Sequence, residues 1–340
     1  TNNGQSLIPV FDKENVIGIG DIAVNWKDRI IWVGTGEANS SRSSYAGIGV
    51  YKSNDNGKTW QYLGLPESHH IGKIDLHPTN NNIAWVAVLG HLYSANKERG
   101  VYKTTDGGKT WTEIVKGLPN DPINVVKEDP KRKGLLFAGS ERAVYVSFDD
   151  GANWQSLRLN MPATSIRDLV IKDDDLVIGT HGRGFWILDD ITPLRYLDER
   201  LSASPIILYK PQTAYRVRWN MNTDTPLPQE EPAGQNPPDG AVINYFLNEE
   251  AADIKLEIFT GADVSQPGKL IRTYTNKDTL YKIPNNNVPP YWLRPQQILS
   301  GTEGSHRFMW DMHYQPLNVP PSYPISATPA NTAPDPTSPW

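Results

Sequence analysis

Three glutamates recur at corresponding places along the chain, and each has an arginine beside or near it in sequence. The pairs are Glu37 with Arg42, Glu98 with Arg99, and Glu141 with Arg142. Two carboxylates can hydrolyse a glycosidic bond when they lie about 5 to 5.5 Å apart for retention, or about 6.5 to 9.5 Å apart for inversion. Any two of these glutamates are therefore candidate catalytic residues if the fold brings their loops together.

Cationic and aromatic side chains accompany the glutamates and are candidates for ligand binding. A guanidinium group can bind a carboxylate, sulfate or uronate group in bidentate fashion. The same neighbours could instead screen one another on a solvated surface, where an exposed ion pair contributes at most about 1 kcal/mol. The sequence leaves both interpretations open. The candidate binding residues are Arg42, Tyr45, His69, His70, His91, Arg99, Arg142, His181 and Arg183.

The sequence predicts no metal site and no cofactor. His69 and His70 are neighbours, and in an extended segment neighbouring side chains point to opposite sides. The chain has no cysteine, which excludes disulfides, thiolate metal sites and a cysteine nucleophile, and it contains no HExxH, phosphate-loop or GxSxG motif. One alternative stays open, because the three consecutive aspartates at 173–175 could hold Ca²⁺ or form an ordinary solvated turn.

A repeated eight-residue string indicates the elements that position these residues. It reads Ser/Thr-x-Asp-x-Gly-x-x-Trp at 53–60, 104–111 and 147–154, and each copy follows an alternating strand. We predict a β-hairpin turn in which the aspartate accepts backbone N–H groups, the glycine takes a positive φ, and the tryptophan opens the next strand and packs between sheets. The structural residues of this motif are Asp55, Gly57, Trp60, Asp106, Gly108, Trp111, Asp149, Gly151 and Trp154.

The spacing of the strings, roughly 40 to 50 residues, suits the four-stranded blades of a β-propeller. Four blade-like units are predicted over 17–65, 71–118, 123–161 and 166–194, and the last lacks a complete string. Each unit has an inner strand, a second strand and the hairpin strand. The loop between the second and third strands lies opposite the aspartate turn, and this is the face that carries the candidate glutamates and arginines.

The strings resemble the Asp-box, or bacterial neuraminidase repeat, of sialidases, sortilin-type receptors and exo-acting xyloglucan hydrolases, all of which are β-propellers. Residues 34–60, 68–78 and 98–111 resemble the opening of large secreted bacterial proteins called sortilin-like or BNR-repeat glycosyl hydrolases. Residues 175–194 resemble the end of the last propeller in that family, and 236–245 and 306–314 resemble parts of the β-sandwich that follows it. This resemblance implies a secreted, cell-surface or periplasmic protein.

Members of that family are several times longer, with many blades between the segments that here adjoin near residue 116. We therefore expect an incomplete chain that samples one or two larger propellers, an expectation that the intact mass of the native protein would test. The predicted domains are 1–115 from the first propeller, 116–197 from the last, a linker over 198–240, a partial immunoglobulin-like β-sandwich over 241–315, and a proline-rich tail over 316–340.

Composition limits the partners. The net charge is −5 and the chain has no lysine- or arginine-rich run, so nucleic acid is not expected. No stretch of 18 or more apolar residues is present, so no membrane span is predicted. The aromatic set favours tryptophan (11) and tyrosine (15) over phenylalanine (7), which suits a sugar-binding surface, although packing of the repeat tryptophans is the alternative.

Three functions remain open. The first is a rigid platform that binds glycan or protein at the cell surface, within a larger envelope or surface complex. The second is an extracellular glycoside hydrolase that uses a Glu/Asp pair on the charged face; the Arg-Ile-Pro type motif of sialidases is absent. The third is a purely architectural role. The repeat itself is structural and does not choose among them.

Overall fold

The computed structural model of the chain describes residues 3–197, 204–215, 230, 240–261, 266–280 and 297–314. The chain divides into two compact units, Thr1–Ile191 and Thr192–Trp340. The predicted proline-rich tail, 316–340, lies outside the described residues. That 1–115 and 116–197 come from different propellers stays a prediction.

The first unit contains four antiparallel sheets whose strands follow chain order, which is the meander of a propeller blade. The first blade has β1 (Ile19–Asn25), β2 (Ile30–Thr35), β3 (Val50–Ser53) and β4 (Gln61–Tyr62). A 3₁₀ turn (Pro66–Ser68) leads to the second, with β5 (Ile71–Leu76), β6 (Ala84–Val88), β7 (Gly100–Thr104) and β8 (Thr112–Glu113). The third has β9 (Ile123–Glu128), β10 (Leu136–Ser140), β11 (Val144–Ser147) and β12 (Gln155–Ser156), and the fourth has β13 (Ile166–Lys172), β14 (Asp175–Thr180) and β15 (Phe185–Leu188). The predicted all-β blades are confirmed.

The blades pack through their inner strands, since β1 packs on β5, β5 on β9, and β9 on β13. Glycine permits this close approach: a Cβ added at Gly20 would lie 1.9 Å from the carbonyl oxygen of Ile71, and one at Gly72 would lie 2.1 Å from that of Asn124. Between the first and second blades and between the second and third lie apolar cores centred on Trp32 and Trp85, both buried as the second-strand pattern predicts.

Polar side chains also connect inner strands of different blades. Asp21 accepts the backbone N–H of Ile74 at 2.8 Å. Lys73 Nζ lies 3.8 Å from an oxygen of Asp21 and 3.6 Å from one of Asp168, so its charge links the first, second and fourth blades. The amide of Asn124 donates to the carbonyl of Ile166 at 2.9 Å. Asp21 and Asn124 thus satisfy backbone groups where inner strands of neighbouring blades meet, and Lys73 adds ion pairs between blades.

The three strings form the predicted turns, called here the aspartate turns (53–60, 104–111 and 147–154). The hydroxyl at the first position accepts the N–H of the turn glycine, at 2.8 Å for Ser53 and 2.9 Å for Thr104 and Ser147. The carboxylate accepts a backbone N–H four residues on, at 2.9 Å for Asp55, 3.0 Å for Asp106 and 2.8 Å for Asp149. Gly57, Gly108 and Gly151 have φ of 84°, 94° and 89°. These are the backbone hydrogen bonds of the aspartate and the positive φ of the glycine that the sequence predicts.

The tryptophan of each aspartate turn also donates a hydrogen bond to the segment that precedes its blade. The indole N–H of Trp111 donates to the carbonyl of Leu63 at 2.8 Å, and that of Trp154 donates to the carbonyl of Ile114 at 2.9 Å. In the first blade the indole of Trp60 donates to Val10, which lies before β1 in the chain. The turn tryptophan therefore connects successive blades rather than only stabilising its own.

The second unit begins with a short helix, α1 (Thr192–Tyr196), and continues as two antiparallel sheets. One sheet contains β16 (Ile206–Leu208), β17 (Ala241–Leu247) and β20 (Gly304–Trp310), and the other pairs β18 (Lys255–Phe259) with β19 (Leu270–Thr275). Leu256 and Tyr274 of the second sheet pack on a core of Tyr245 and Phe308 of the first. The two packed sheets form the partial β-sandwich of the predicted fold class, while its predicted bounds of 241–315 stay a prediction. Strand β16 lies inside the range 198–240, for which the sequence predicts a linker.

No helix among the described residues has both the length and the apolar character needed to cross a membrane.

Candidate functional site

The loops opposite the aspartate turns form an open cleft of about 270 Å³ between the first and second blades. It is bounded by the β2–β3 loop (36–49), the segment entering β5 (63–70) and the β6–β7 loop (89–99). These are loops to which the sequence assigns candidate binding residues. The cleft is lined by Ser44, His69, His70, His91, Leu92, Tyr93 and Ser94.

Three of the predicted binding residues, all histidines, meet in this cleft. The rings of His69 and His91 have centroids 3.6 Å apart, and those of His69 and His70 are 6.5 Å apart. Nδ1 of His70 lies 2.8 Å from the carbonyl oxygen of Glu37, which can only accept, so this nitrogen carries the proton. Burial lowers the pKa of His70 below its ordinary value. Burial thus favours the neutral form of His70, and its backbone partner fixes the ring.

The sequence-based premise that 69–70 is extended is wrong at His69. That residue has a φ of 51° and a ψ of −49°, a conformation outside the αL region that residues other than glycine seldom adopt. Its carbonyl accepts the N–H of Gly47 at 2.6 Å, and a Cβ at Gly36 would lie 1.9 Å from the same oxygen. The β2–β3 loop therefore holds His69 in a turned conformation that brings its ring to His91.

Glu67, which sequence reasoning missed, completes this group. Its Oε2 lies 3.7 Å from Nε2 of His69, and the donor atoms of Glu67, His69 and His91 all lie within 4.8 Å of one another. These donors could hold a metal ion. Glu67 carries no repeat or motif signal, because it lies in the short 3₁₀ turn rather than beside an arginine of the repeat.

Arg99 is not among the residues that line the cleft, and its guanidinium group instead binds the backbone of the β6–β7 loop. Its Nε donates to the carbonyl of Leu89 at 3.0 Å, and its Nη2 donates to the carbonyls of His91 at 2.6 Å and Ser94 at 2.9 Å. Two of the three guanidinium nitrogens are therefore used to fix the β6–β7 loop. The structure assigns Arg99 a positioning role toward His91.

The other predicted binding residues are not among those that line the cleft. Arg42 is exposed in the β2–β3 loop, where Tyr45 is also exposed. Nε of Arg142 lies 3.4 Å from Oδ2 of Asp121 in the third blade. His181 and Arg183 are exposed in the β14–β15 turn of the fourth blade. Their roles in ligand binding stay predictions.

The three candidate catalytic glutamates occupy separate surroundings, and no contact among the described residues joins two of them. The carboxylate of Glu37 accepts the backbone N–H of Tyr45 at 3.2 Å. That of Glu141 accepts from Asn124 at 2.9 Å and lies 3.3 Å from Nη1 of Arg167, a partner that the sequence does not indicate. Glu98 is half-buried near the end of the β6–β7 loop. A catalytic pair stays a prediction.

The aspartates at 173–175 lie at the β13–β14 hairpin, and each has a described protein contact. Lys172 contacts Asp173 at 2.8 Å, Lys131 contacts Asp174 at 2.5 Å, and Asp175 accepts the N–H of Asp190 at 2.8 Å. These contacts account for the acidic cluster as a charged turn, while the calcium alternative stays untested.

The sheets and their packing define the class of protein as a β-propeller unit followed by a β-sandwich unit. No protein-family model matches the sequence, and no curated protein matches it. Among solved structures the chain is similar in fold to an ancestral GH74 enzyme, at 16% identity and a TM-score of 0.39, over 51% of this chain and 23% of that one.

Two further similarities concern the fold alone. The GH74 xyloglucanase from Xanthomonas campestris is 15% identical with a TM-score of 0.39, over 52% of this chain and 30% of that one. The extracellular domain of the putative one-component system BT4673 from B. thetaiotaomicron is 16% identical with a TM-score of 0.39, over 53% and 22%. The matched part thus spans less than a third of each of these three structures.

Proposed function

We propose that this protein is a carbohydrate-binding β-propeller that acts outside the cytoplasm and takes its ligand in the cleft between the first and second blades. The observation that carries this proposal is the composition of the cleft. It combines an exposed tyrosine ring, three imidazoles and two serine hydroxyls on loops that the blades hold in place. The resemblance of 34–60 to secreted propeller proteins supports the extracellular setting.

Tyr93 is the aromatic contact that we assign to the sugar. Its hydroxyl donates to the carbonyl of Ser41 at 2.8 Å, which connects the β6–β7 loop to the β2–β3 loop, while its ring is 75% exposed. A tyrosine held by its polar end presents an apolar face to solvent, and such a face suits a pyranose ring. The neighbouring histidines can donate to and accept from sugar hydroxyls.

The test is calorimetric titration of the chain with xyloglucan oligosaccharides, cello-oligosaccharides and oligogalacturonates. We expect at least one class to bind, and Tyr93→Ala to weaken that binding by about tenfold, equivalent to about 1.4 kcal/mol. Tyr215→Ala is the matched control, because Tyr215 is an exposed tyrosine of the second unit. Equal binding by the wild type and Tyr93→Ala would contradict the proposal. Failure of all three classes of oligosaccharide to bind the wild type would also contradict it.

Glycoside hydrolysis is the alternative, and one observation bears on it. The backbone carbonyl of Glu37 accepts from His70, so a candidate carboxylate belongs to a residue that is hydrogen-bonded to a histidine of the cleft. The same solutions can be assayed for new reducing ends with the wild type and with Glu37→Gln, Glu98→Gln and Glu141→Gln. Turnover lost in two of these variants would support an enzyme, whereas binding without turnover would support the binding protein.

A further inference from the structure

Glu67, His69 and His91 form a compact group of metal-ligating side chains at the edge of the cleft. They come from two segments of the chain, the 3₁₀ turn that enters β5 and the start of the β6–β7 loop. Their donor atoms all lie within 4.8 Å of one another. Residues distant in sequence that converge in this way are the usual basis of a metal site.

We propose that these three residues bind a divalent transition-metal ion of the Zn²⁺ type. Two imidazole nitrogens and one carboxylate oxygen make a donor set that tetrahedral zinc accepts, with the fourth position open. Metal bonds of 2.0 to 2.1 Å place tetrahedral donors about 3.3 Å apart. The observed 3.7 Å between Nε2 of His69 and Oε2 of Glu67 needs only a small contraction. The rings of His69 and His91, whose centroids are 3.6 Å apart, must also turn about their side-chain torsions so that each presents a nitrogen to the ion.

The backbone around the group is fixed before any ion arrives. His69 is held at a φ of 51° by contacts with Gly36 and Gly47. His91 is held by Arg99, whose Nη2 donates to its carbonyl at 2.6 Å. Because the loops are already held in place, metal binding does not have to order them, and none of its free energy is lost to ordering them.

The position of the group implies a role for the ion. His69 and His91 line the cleft, so a bound ion would be reached from the same open space as a ligand. An open fourth position accepts water or an oxygen of an incoming molecule. The site therefore suits a carboxylate or hydroxyl ligand that completes the coordination of the metal.

The experiment is titration of the full chain with Zn²⁺ at pH 7.5, by competition with a chromophoric chelator, together with Co²⁺ absorption spectra. We expect one ion per chain and a tetrahedral Co²⁺ spectrum. Loss of an outer-shell partner typically weakens metal binding by 10- to 100-fold, so loss of a ligand is expected to cost at least about tenfold. The ligand variants are Glu67→Gln, His91→Gln and His69→Asn, the last because asparagine tolerates a positive φ.

His181→Ala is the matched control, since His181 is exposed on a loop of the fourth blade. The proposal is overturned if the wild type binds no ion, or if His181→Ala loses as much affinity as the ligand variants. Glu67 is exposed, so Glu67→Gln is expected to fold even if His91→Gln does not. The inference does not depend on sugar binding, because the titration contains no sugar and Tyr93→Ala should retain the metal.

Discussion

At the scale of single residues, one carboxylate accepts several hydrogen bonds within each aspartate turn. Asp55 accepts the hydroxyl of Thr59 at 2.7 Å and the backbone N–H groups of Lys58 and Thr59. The hydrogen bonds from Thr59, its side chain foremost, lower the pKa of Asp55 to about 2. Those from Thr110, again led by the side chain, hold the pKa of Asp106 well below its usual range.

These shifts predict an acid dependence of stability. A carboxyl group with a depressed folded-state pKa binds protons more readily in the unfolded chain, so its stabilisation is present above about pH 4 and is lost as the pH falls through the folded value. We expect the melting temperature of the wild type to fall between pH 4 and pH 2. Asp55→Asn should melt lower than the wild type at pH 6, with a smaller further fall in acid.

The control for this measurement is Asp12→Asn, because Asp12 is an exposed aspartate outside the repeats. An Asp55→Asn curve parallel to that of the wild type across the whole pH range would contradict the assignment.

At the scale of elements, the glycines of the inner strands set how closely blades approach. Gly72 in β5 lies against the backbone of Asn124 in β9, where a Cβ would be 2.1 Å from the carbonyl oxygen. Backbone atoms cannot move aside as a flexible side chain can. The distance between the second and third blades therefore depends on the absence of a side chain at this position.

We predict that Gly72→Ala destabilises the first unit by about 1 to 3 kcal/mol, the usual cost of overpacking. Gly179→Ala is the matched control, since Gly179 also lies in a strand, has no positive φ, and its Cβ would meet nothing closer than 3.7 Å. Urea unfolding followed by tryptophan fluorescence measures both. A Gly72→Ala midpoint equal to that of Gly179→Ala would show that the strands separate without cost.

At the scale of the whole chain, the propeller unit leaves apolar surface uncovered on its first and fourth blades. Ile22 of β1 is 54% exposed, whereas Ile74, at the same position of the next blade, is 3% exposed. On the fourth blade Phe185 is 82% exposed, whereas its counterpart Val144 of the third blade is fully buried. Ile74 and Val144 are covered by a neighbouring blade. Among the described residues, no blade covers Ile22 or Phe185 in the same way.

Such faces predict self-association of the chain. We expect concentration-dependent self-association in analytical ultracentrifugation, weakened when Phe185 and Ile187 are both replaced by serine, because exposed apolar patches promote contact. Leu159→Ser is the control, since Leu159 is 67% exposed but lies in a loop. Unchanged association of the double variant would assign the contact to another surface.

The sequence by itself determined the blades, because each depends on local signals. Alternating strands, the turn glycines with positive φ and the turn aspartates recur within single blades, so the elements and even the turn hydrogen bonds could be predicted from 53–60 and its two copies. It also placed His69, His70 and His91 on the correct loops. The turn hydrogen bonds join residues no more than four apart, and each blade forms within one repeat of the sequence.

Only the tertiary structure decided which of those side chains meet. The positive φ at His69 turns its ring toward His91, and the 3₁₀ turn adds Glu67. The guanidinium group of Arg99 donates to carbonyl groups of its own loop instead of reaching a ligand. The physical reason is that contacts between loops depend on the distance between blades and on φ values at single residues. Neither leaves a repeating pattern in the sequence, whereas burial and turn formation do.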